Sequence, residues 1–308
     1  MHPKSRVLLA TPLAFLLLAG CGKGGAALAP SGSTALSADQ AAVQEEVALH
    51  PDLVEDGLYE SSTQTMIGDG AAGGVAAAIH PLFYWRQFTG VERRFEFAFA
   101  DTDSTGKPTT AVVTVHKFLQ GWFNVVAGEP TAEGTPTEGR VVRKRLNDHA
   151  VRRLLLKRFD APESRQANWK IVATSAIRIT SRDAETRIES LRLQTADLDT
   201  TLTDPLAFFR LRRILKLPPE AQVTLTVTTL RNDDVVVLYA HDRRFRFHNN
   251  DDNTYTATWS PAQLAGVHHF GVNALSHGSL FDDEASYDSQ SWILPYVTPP
   301  TELAEFAP

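Results

Sequence analysis

From Val91 onward apolar side chains recur at every second position, and that period commits the chain to a mostly β fold. Phe95, Phe97 and Phe99 alternate with Glu96 and Ala98; Ala111, Val113 and Val115 alternate with Thr110, Val112 and Thr114. Successive side chains of a strand point to opposite faces, so each run reads as a strand with one face in a core. Asp101-Thr102-Asp103-Ser104-Thr105-Gly106 lies between them, and two alternating runs around a Gly-containing turn predict an antiparallel hairpin. Trp122 to Val126 reads as a third strand, Gly128 to Gly139 as a loop, and Val141-Val142 as the start of a fourth strand.

Helix signals are fewer. Ser37 or Asp39 caps a short helix through Ala41, Val43, Val47 and Leu49. Behind Asp148, read as an N-cap, Val151, Leu154, Leu155 and Phe159 recur at helical spacing, and Pro162 stops the element. Trp169 to Ile179 returns to strand composition. Residues 40–185 are therefore expected to form an α+β module, an antiparallel sheet with one or two helices. The glycines between Ile67 and Ala78 lack the lysine and Ser/Thr of a phosphate-binding loop.

Residues 186–300 carry many short alternating runs. Val223, Leu225 and Val227 are followed by Val235, Val237 and Tyr239, then Tyr255, Ala257 and Trp259, and finally Trp292, Leu294 and Tyr296. Turn signals at Asn232-Asp233-Asp234, Asn249 to Asn253 and Ser260-Pro261 separate them, which predicts a β-sandwich. Ala265-Gly266-Val267-His268-His269-Phe270-Gly271-Val272-Asn273-Ala274 resembles the penultimate strand of bacterial immunoglobulin-like domains. The resemblance implies that fold here, with His268 at the family's corner-tyrosine position. Residues 301–308 are a tail.

Cys21 is the only cysteine of the 308 residues, so no disulfide forms within one chain. It closes a leader with Lys4 and Arg6 before the apolar run Val7 to Leu18, which is too short to span a bilayer and fits a secretory signal. Leu18-Ala19-Gly20-Cys21 resembles the lipobox of bacterial lipoproteins. That resemblance implies removal of residues 1–20 and fatty acylation of Cys21, with the membrane as partner through the acyl chains. Residue 22 is Gly rather than the aspartate that retains such proteins in the inner membrane, which implies outer-membrane sorting. Residues 21–39, rich in Gly, Ala, Ser and Pro, are expected to be a disordered tether.

Candidate sites are sparse. Asp101 and Asp103 open a sequence like a calcium loop, but Pro108 and Val112 stand where later ligands belong, so a hairpin turn is expected. Asp251 and Asp252 sit in a run that gathers oxygens yet equally favours a turn. Calcium is the one weak cofactor candidate. His268 and His269 are adjacent in a strand and point apart. Arg143, Arg145, Arg152, Arg153 and Lys157 make a basic stretch suited to an anion, in a chain of net charge −6. That charge, and the lack of aromatics interleaved in the stretch, argue against nucleic acid. Phe83, Tyr84, Trp85, Phe118, Leu119, Trp122 and Phe123 concentrate aromatic surface, as a ligand groove or as core.

Nucleophile motifs are nearly absent: no Gly-x-Ser-x-Gly and no His-Glu-x-x-His occurs, and the one Ser-x-x-Lys, Ser104 to Lys107, lies in the expected hairpin turn without Ser-Asp-Asn or Lys-Thr-Gly and reads as chance. The expectation is a lipid-anchored cell-envelope protein, a non-catalytic binding or structural module with a protein or glycan partner. The alternative is an envelope hydrolase acting on glycan through carboxylates of the first module.

Overall fold

Three strands of 22 or 23 residues set the plan of the molecule: β2 (His80–Thr102), β3 (Pro108–Glu129) and β4 (Thr137–Phe159). They pair antiparallel along nearly their whole length as one meander. The computed structural model describes residues 37–54, 57–60, 63–67, 79–129, 137–159, 168–211, 214–240 and 243–300. The leader, Cys21, most of the tether, the glycines between Gly68 and Ala78 and the tail lie outside the described residues.

Ahead of the meander come α1 (Ala38–Ala48), α2 (Pro51–Val54), α3 (Gly57–Glu60) and β1 (Thr65–Met66). The α1 start follows from a capping box: Ser37 Oγ accepts from the Gln40 amide, and Gln40 Oε1 accepts from the Ser37 amide. Val43 and Val47 of α1 are buried with Ala111, Val113, Leu154 and Leu156 at the far end of the meander.

After β4 run β5 (Asn168–Thr174), β6 (Ile177–Ser181), β7 (Ile188–Gln194), β8 (Asp199–Leu202), β9 (Phe209–Arg210), β10 (Leu215–Lys216) and β11 (Val223–Thr229). The chain continues through β12 (Val235–Ala240), β13 (Arg243–Arg246), β14 (His248–Asn249), β15 (Thr254–Trp259), β16 (Gly266–Leu275), α4 (His277–Phe281) and β17 (Ser289–Thr298). The mostly β expectation holds, with antiparallel sheets and a few short helices.

The C-terminal strands form the expected sandwich. One sheet runs β14-β15-β11-β7-β8; the facing strands run β17-β16-β12-β13. β12 and β13 form an antiparallel hairpin at the end of the four-strand layer. Leu191, Val223, Leu225 and Tyr255 face Leu238, Phe270, Val272 and Trp292 between the layers. At the start of β16, His268 Nε2 donates to the Leu264 carbonyl at 2.7 Å.

The expected border at 185/186 lies in the connection from β6 to β7, but one sheet continues across it. β6 pairs with β4 on one side and β17 on the other, so the meander and one layer of the sandwich belong to the same sheet. The sheet curls until β13 approaches β1, where Arg244 donates to the Thr63 and Leu58 carbonyls at 2.7 and 3.2 Å. Val235, Val237 and Ile293 therefore face the curl while Val236, Leu238 and Leu294 face the sandwich. Burial on both faces explains why β12 reads as an unbroken apolar run, Val235 to Ala240.

The helix expected behind Asp148 is absent: residues 148–159 continue β4. Leu154 and Leu156 point inward while Arg153 and Lys157 point out, and β3 supplies the backbone partners from Leu119 to Thr110. The helical spacing was coincidental, since positions 151 and 155 lie on the outer face and 154 on the inner. A bulge bends the meander between Phe88 and Gly90, opposite Gly121. A Cβ on Gly121 would lie 2.0 Å from the Gln87 carbonyl oxygen, so only glycine fits.

Candidate functional site

The pleat divides the aromatic concentration. Tyr84, Leu119 and Phe123 point into the curl and are fully buried. Phe83, Trp85, Phe118 and Trp122 lie on the outer face, half-buried. His116, Phe118, Gln120 and Trp122 are two residues apart along β3, so they share that face. Registers set their neighbours: Trp122 lies between Gln87 and Arg145, Gln120 beside Asn147, and Phe118 between Glu92 and His149.

Two guanidinium groups rest on one indole. Arg143 Cζ is 5.2 Å and Arg145 Cζ 5.6 Å from the Trp122 ring centre. Cation–π attraction holds each planar group in place. Arg143 Nε donates to Asn124 Oδ1 at 3.2 Å and its Nη2 to Gln87 Oε1 at 3.3 Å, both neutral acceptors. Among the described residues neither arginine has a carboxylate partner. Other exposed arginines do: Arg192 meets Asp199 at 2.5 Å, and Arg231 meets Asp233 at 2.9 Å.

Two rows further along β3, Phe118 and His149 stack in parallel with centres 4.6 Å apart, and Arg94 lies 5.0 Å from the same phenyl ring. His149 Nε2 and His116 Nδ1 share a hydrogen bond of 3.0 Å. Burial, then His116, then Arg178 hold the His149 pKa below the usual imidazole value. Beside this stack opens a cleft of ≈ 440 Å³, lined by Phe118, Gln120, Asn147, His149, Thr180 and Arg182 among others. Among the described residues, the side-chain amides of Gln120 and Asn147 have no protein partner.

The five basic candidates do not share a surface. Arg143, Arg145 and Lys157 are exposed on the outer face, and Arg153 lies there over the Phe208 ring at 4.7 Å. Arg152 is inward and 2% exposed, with Nη1 donating to the Leu53 carbonyl. It belongs to the core, because its strand parity puts it with Leu154 rather than Arg153. Strand parity also reveals what the sequence reading missed: Gln120, Asn147, Arg182 and Arg94 at the same face. The aromatics absent from the basic stretch itself are supplied by the neighbouring strand.

The calcium candidates are turn residues. Asp103 Oδ1 accepts from the Thr105 and Lys107 amides at 2.7 and 3.0 Å, and Asp101 Oδ2 accepts from Thr110 Oγ1 at 2.9 Å. Asp252 Oδ1 accepts from the Thr254 amide at 3.0 Å, while Asp251 and Asn253 take left-handed backbone angles. Among the described residues no three His, Cys, Asp or Glu side chains are grouped to hold a metal. His268 and His269 do point apart. Burial, aided by Arg152 and His268, pushes the His269 pKa down to about 3.

One buried polar network fills the curl. Arg86, 1% exposed, donates to Tyr239 at 2.7 Å, Asn273 at 2.9 Å and Tyr287 at 3.3 Å, with its Cζ 4.3 Å from the Tyr59 ring centre. Tyr59 in turn donates to Asp148 Oδ2 at 2.7 Å. Burial raises the Asp148 pKa to about 6, against the pull of Arg86 and its phenol donors. This acid is sealed: Asp148 is one of the residues lining the outer cleft, yet it is 3% exposed and its carboxylate is bonded to the buried phenols of Tyr59 and Tyr287. No second carboxylate is among the groups acting on it.

A second cleft, ≈ 710 Å³, opens beside the sandwich corner, and its titratable lining is Arg243 and His268. Among the described residues no helix is long and apolar enough to cross a membrane. Comparison with known proteins found no matching family model, no similar curated sequence and no similar solved structure.

Proposed function

We propose that this chain is a lipid-anchored cell-envelope protein whose folded part is a non-catalytic binding module. The binding surface is the outer face of the β2–β3–β4 meander, offered to a glycan or protein partner. The observation that carries this reading is the pair Arg143 and Arg145, stacked on Trp122, with no acceptor among the described residues but the neutral ones of Arg143. Unneutralised, pre-oriented guanidinium groups favour an anionic ligand over none.

The anchor rests on Leu18-Ala19-Gly20-Cys21, where acylation of Cys21 attaches the chain to the membrane. Gly22 favours the outer membrane. Among the described residues the hydrolase alternative has one acid of raised pKa in the first module, Asp148, and that acid is walled in by phenols rather than set across a cleft from a second carboxylate.

Membrane fractionation and envelope pull-down test the reading together. After a high-salt wash, which strips ionic contacts to the envelope, the wild-type chain is expected in the membrane fraction and Cys21→Ser in the soluble or unprocessed pool. Pull-down from envelope extract, read by mass spectrometry, is expected to recover a partner. Turnover of a cell-wall substrate by the purified protein, with no partner recovered, favours the hydrolase.

A further inference from the structure

We infer that the outer face binds an acidic glycan, with sugar carboxylates on Arg143 and Arg145 and ring hydroxyls on Gln120 and Asn147. The inference rests on the binding-module reading and names the ligand class for that face.

Three adjacent rows of the meander carry it. The Trp122 row presents the two guanidinium groups, each a fork of donors that matches a carboxylate. The next row presents Gln120 and Asn147, side by side in register, whose amides both donate and accept. The third row presents the parallel Phe118–His149 stack as the side of the ≈ 440 Å³ cleft. Rows on one face of a strand are about 7 Å apart. The face thus offers an anion site and a hydroxyl-reading site one row apart, and a second ring surface about 14 Å from the first.

A ligand that uses all three rows is extended, carries an acid group, and is rich in hydroxyls within ring distance of that acid. A polymer of acidic sugars has that chemistry. The chain as a whole carries −6, so its general field opposes every polyanion and side-chain geometry decides among them. Two arginine forks match planar carboxylates, and the adjacent amides match ring hydroxyls, which a deoxyoligonucleotide lacks. A nucleic acid is held by a basic track along its backbone. Here Arg94 is already bound to Glu92 at 2.7 Å, which shortens any such track.

The test uses the purified full-length protein and three probes in calorimetric titrations: polygalacturonate oligomers, neutral dextran oligomers, and oligo-dT. Expected are saturable, salt-sensitive binding of polygalacturonate and none of dextran. Arg143→Gln/Arg145→Gln is expected to weaken polygalacturonate binding about tenfold or more. The corresponding Lys pair, which keeps charge but loses the fork, should fall between. Gln120→Ala/Asn147→Ala should weaken it with the salt dependence unchanged. Circular dichroism of each variant, unchanged from wild type, ties a loss to the face rather than to unfolding. Equal binding of dextran, tighter binding of oligo-dT, or polygalacturonate binding that survives Arg143→Gln/Arg145→Gln overturns the inference. If none of the three probes binds while envelope pull-down still recovers a protein partner, the ligand class is wrong and the binding module stands. If pull-down also fails, both are wrong.

Discussion

The Tyr59 hydroxyl donates to the Asp148 carboxylate at 2.7 Å across the interior of the curled sheet, joining α3 to the middle of β4. Tyr287 reaches the same oxygen at 3.4 Å, so one acid is held by phenols from both ends of the chain. Among the described residues Asp148 Oδ1 has no hydrogen-bond partner, and burial raises the Asp148 pKa to about 6.

That value fixes the sign of a pH effect. An unfolded aspartate titrates near 3.9. Between about pH 4 and 6 the folded chain binds more protons than the unfolded one, so the Asp148 contribution to stability falls as pH rises and is level above that window. Two pH units correspond to about 3 kcal/mol. His269, its pKa pushed down to about 3, slopes the opposite way over the same range, so the total is blunted. The readable quantity is the difference between wild type and Asp148→Asn. Urea denaturation at pH 4, 5, 6 and 7 is expected to show the variant gaining relative stability up to pH 6 and then levelling. A constant difference across that range contradicts a raised Asp148 pKa.

Arg86 is the cation of the same interior. Its charge is met by phenols and Asn273 rather than by a direct carboxylate. Arg86→Leu removes those donors and leaves Asp148 without nearby positive charge, a loss expected to cost about 3–5 kcal/mol. Adding Asp148→Asn should recover part of it. A double-mutant cycle by chemical denaturation is expected to give a coupling of about 1 kcal/mol or more. Additive effects would mean that the two groups do not sense each other.

Gly121 and Gly90 make a paired test of the bulge. A methyl at 121 meets the Gln87 carbonyl, whereas nothing lies within 4 Å of a Cβ at 90. Gly121→Ala should destabilise by about 1–3 kcal/mol or more, because backbone must shift. Gly90→Ala should cost little. Equal melting temperatures for the two variants contradict the register assigned to β2 and β3.

His268 Nε2 donates to the Leu264 carbonyl at 2.7 Å beside the end of the sandwich. His268→Phe retains a ring beside Tyr296 and loses the donor, an expected cost of about 1 kcal/mol. His268→Tyr should restore stability to at least the wild-type value. A Phe variant as stable as wild type shows that the bond contributes nothing.

Local patterns made much of this fold legible. Strict alternation in Val223 to Thr229 and in Tyr255 to Trp259 revealed sandwich strands, and Asp103 to Gly106 revealed the hairpin turn. What escaped was set by long-range pairing. β4 has apolar residues on both faces because its inner face meets α1 and the core, while Leu155 lies outside, so helix and strand periods both fit it. The length of β3 is hidden because His116, Lys117, Gln120 and Gly121 break the apolar alternation between Val115 and Trp122, so the sequence reads as two strands. Without a continuous strand, Phe118, Gln120 and Trp122 had no common face, and the cross-strand approach of Arg143 and Arg145 to Trp122 was invisible. The role of Arg86 was hidden for a related reason: its partners come from residues 59, 84, 239, 273 and 287.

The outer face and the anchor separate cleanly in one measurement, co-sedimentation of the unanchored Cys21→Ser chain with isolated cell envelopes. The account predicts that this chain sediments with the envelopes and that the same chain with Arg143→Gln/Arg145→Gln stays in solution. Sedimentation of both alike, or of neither, contradicts it.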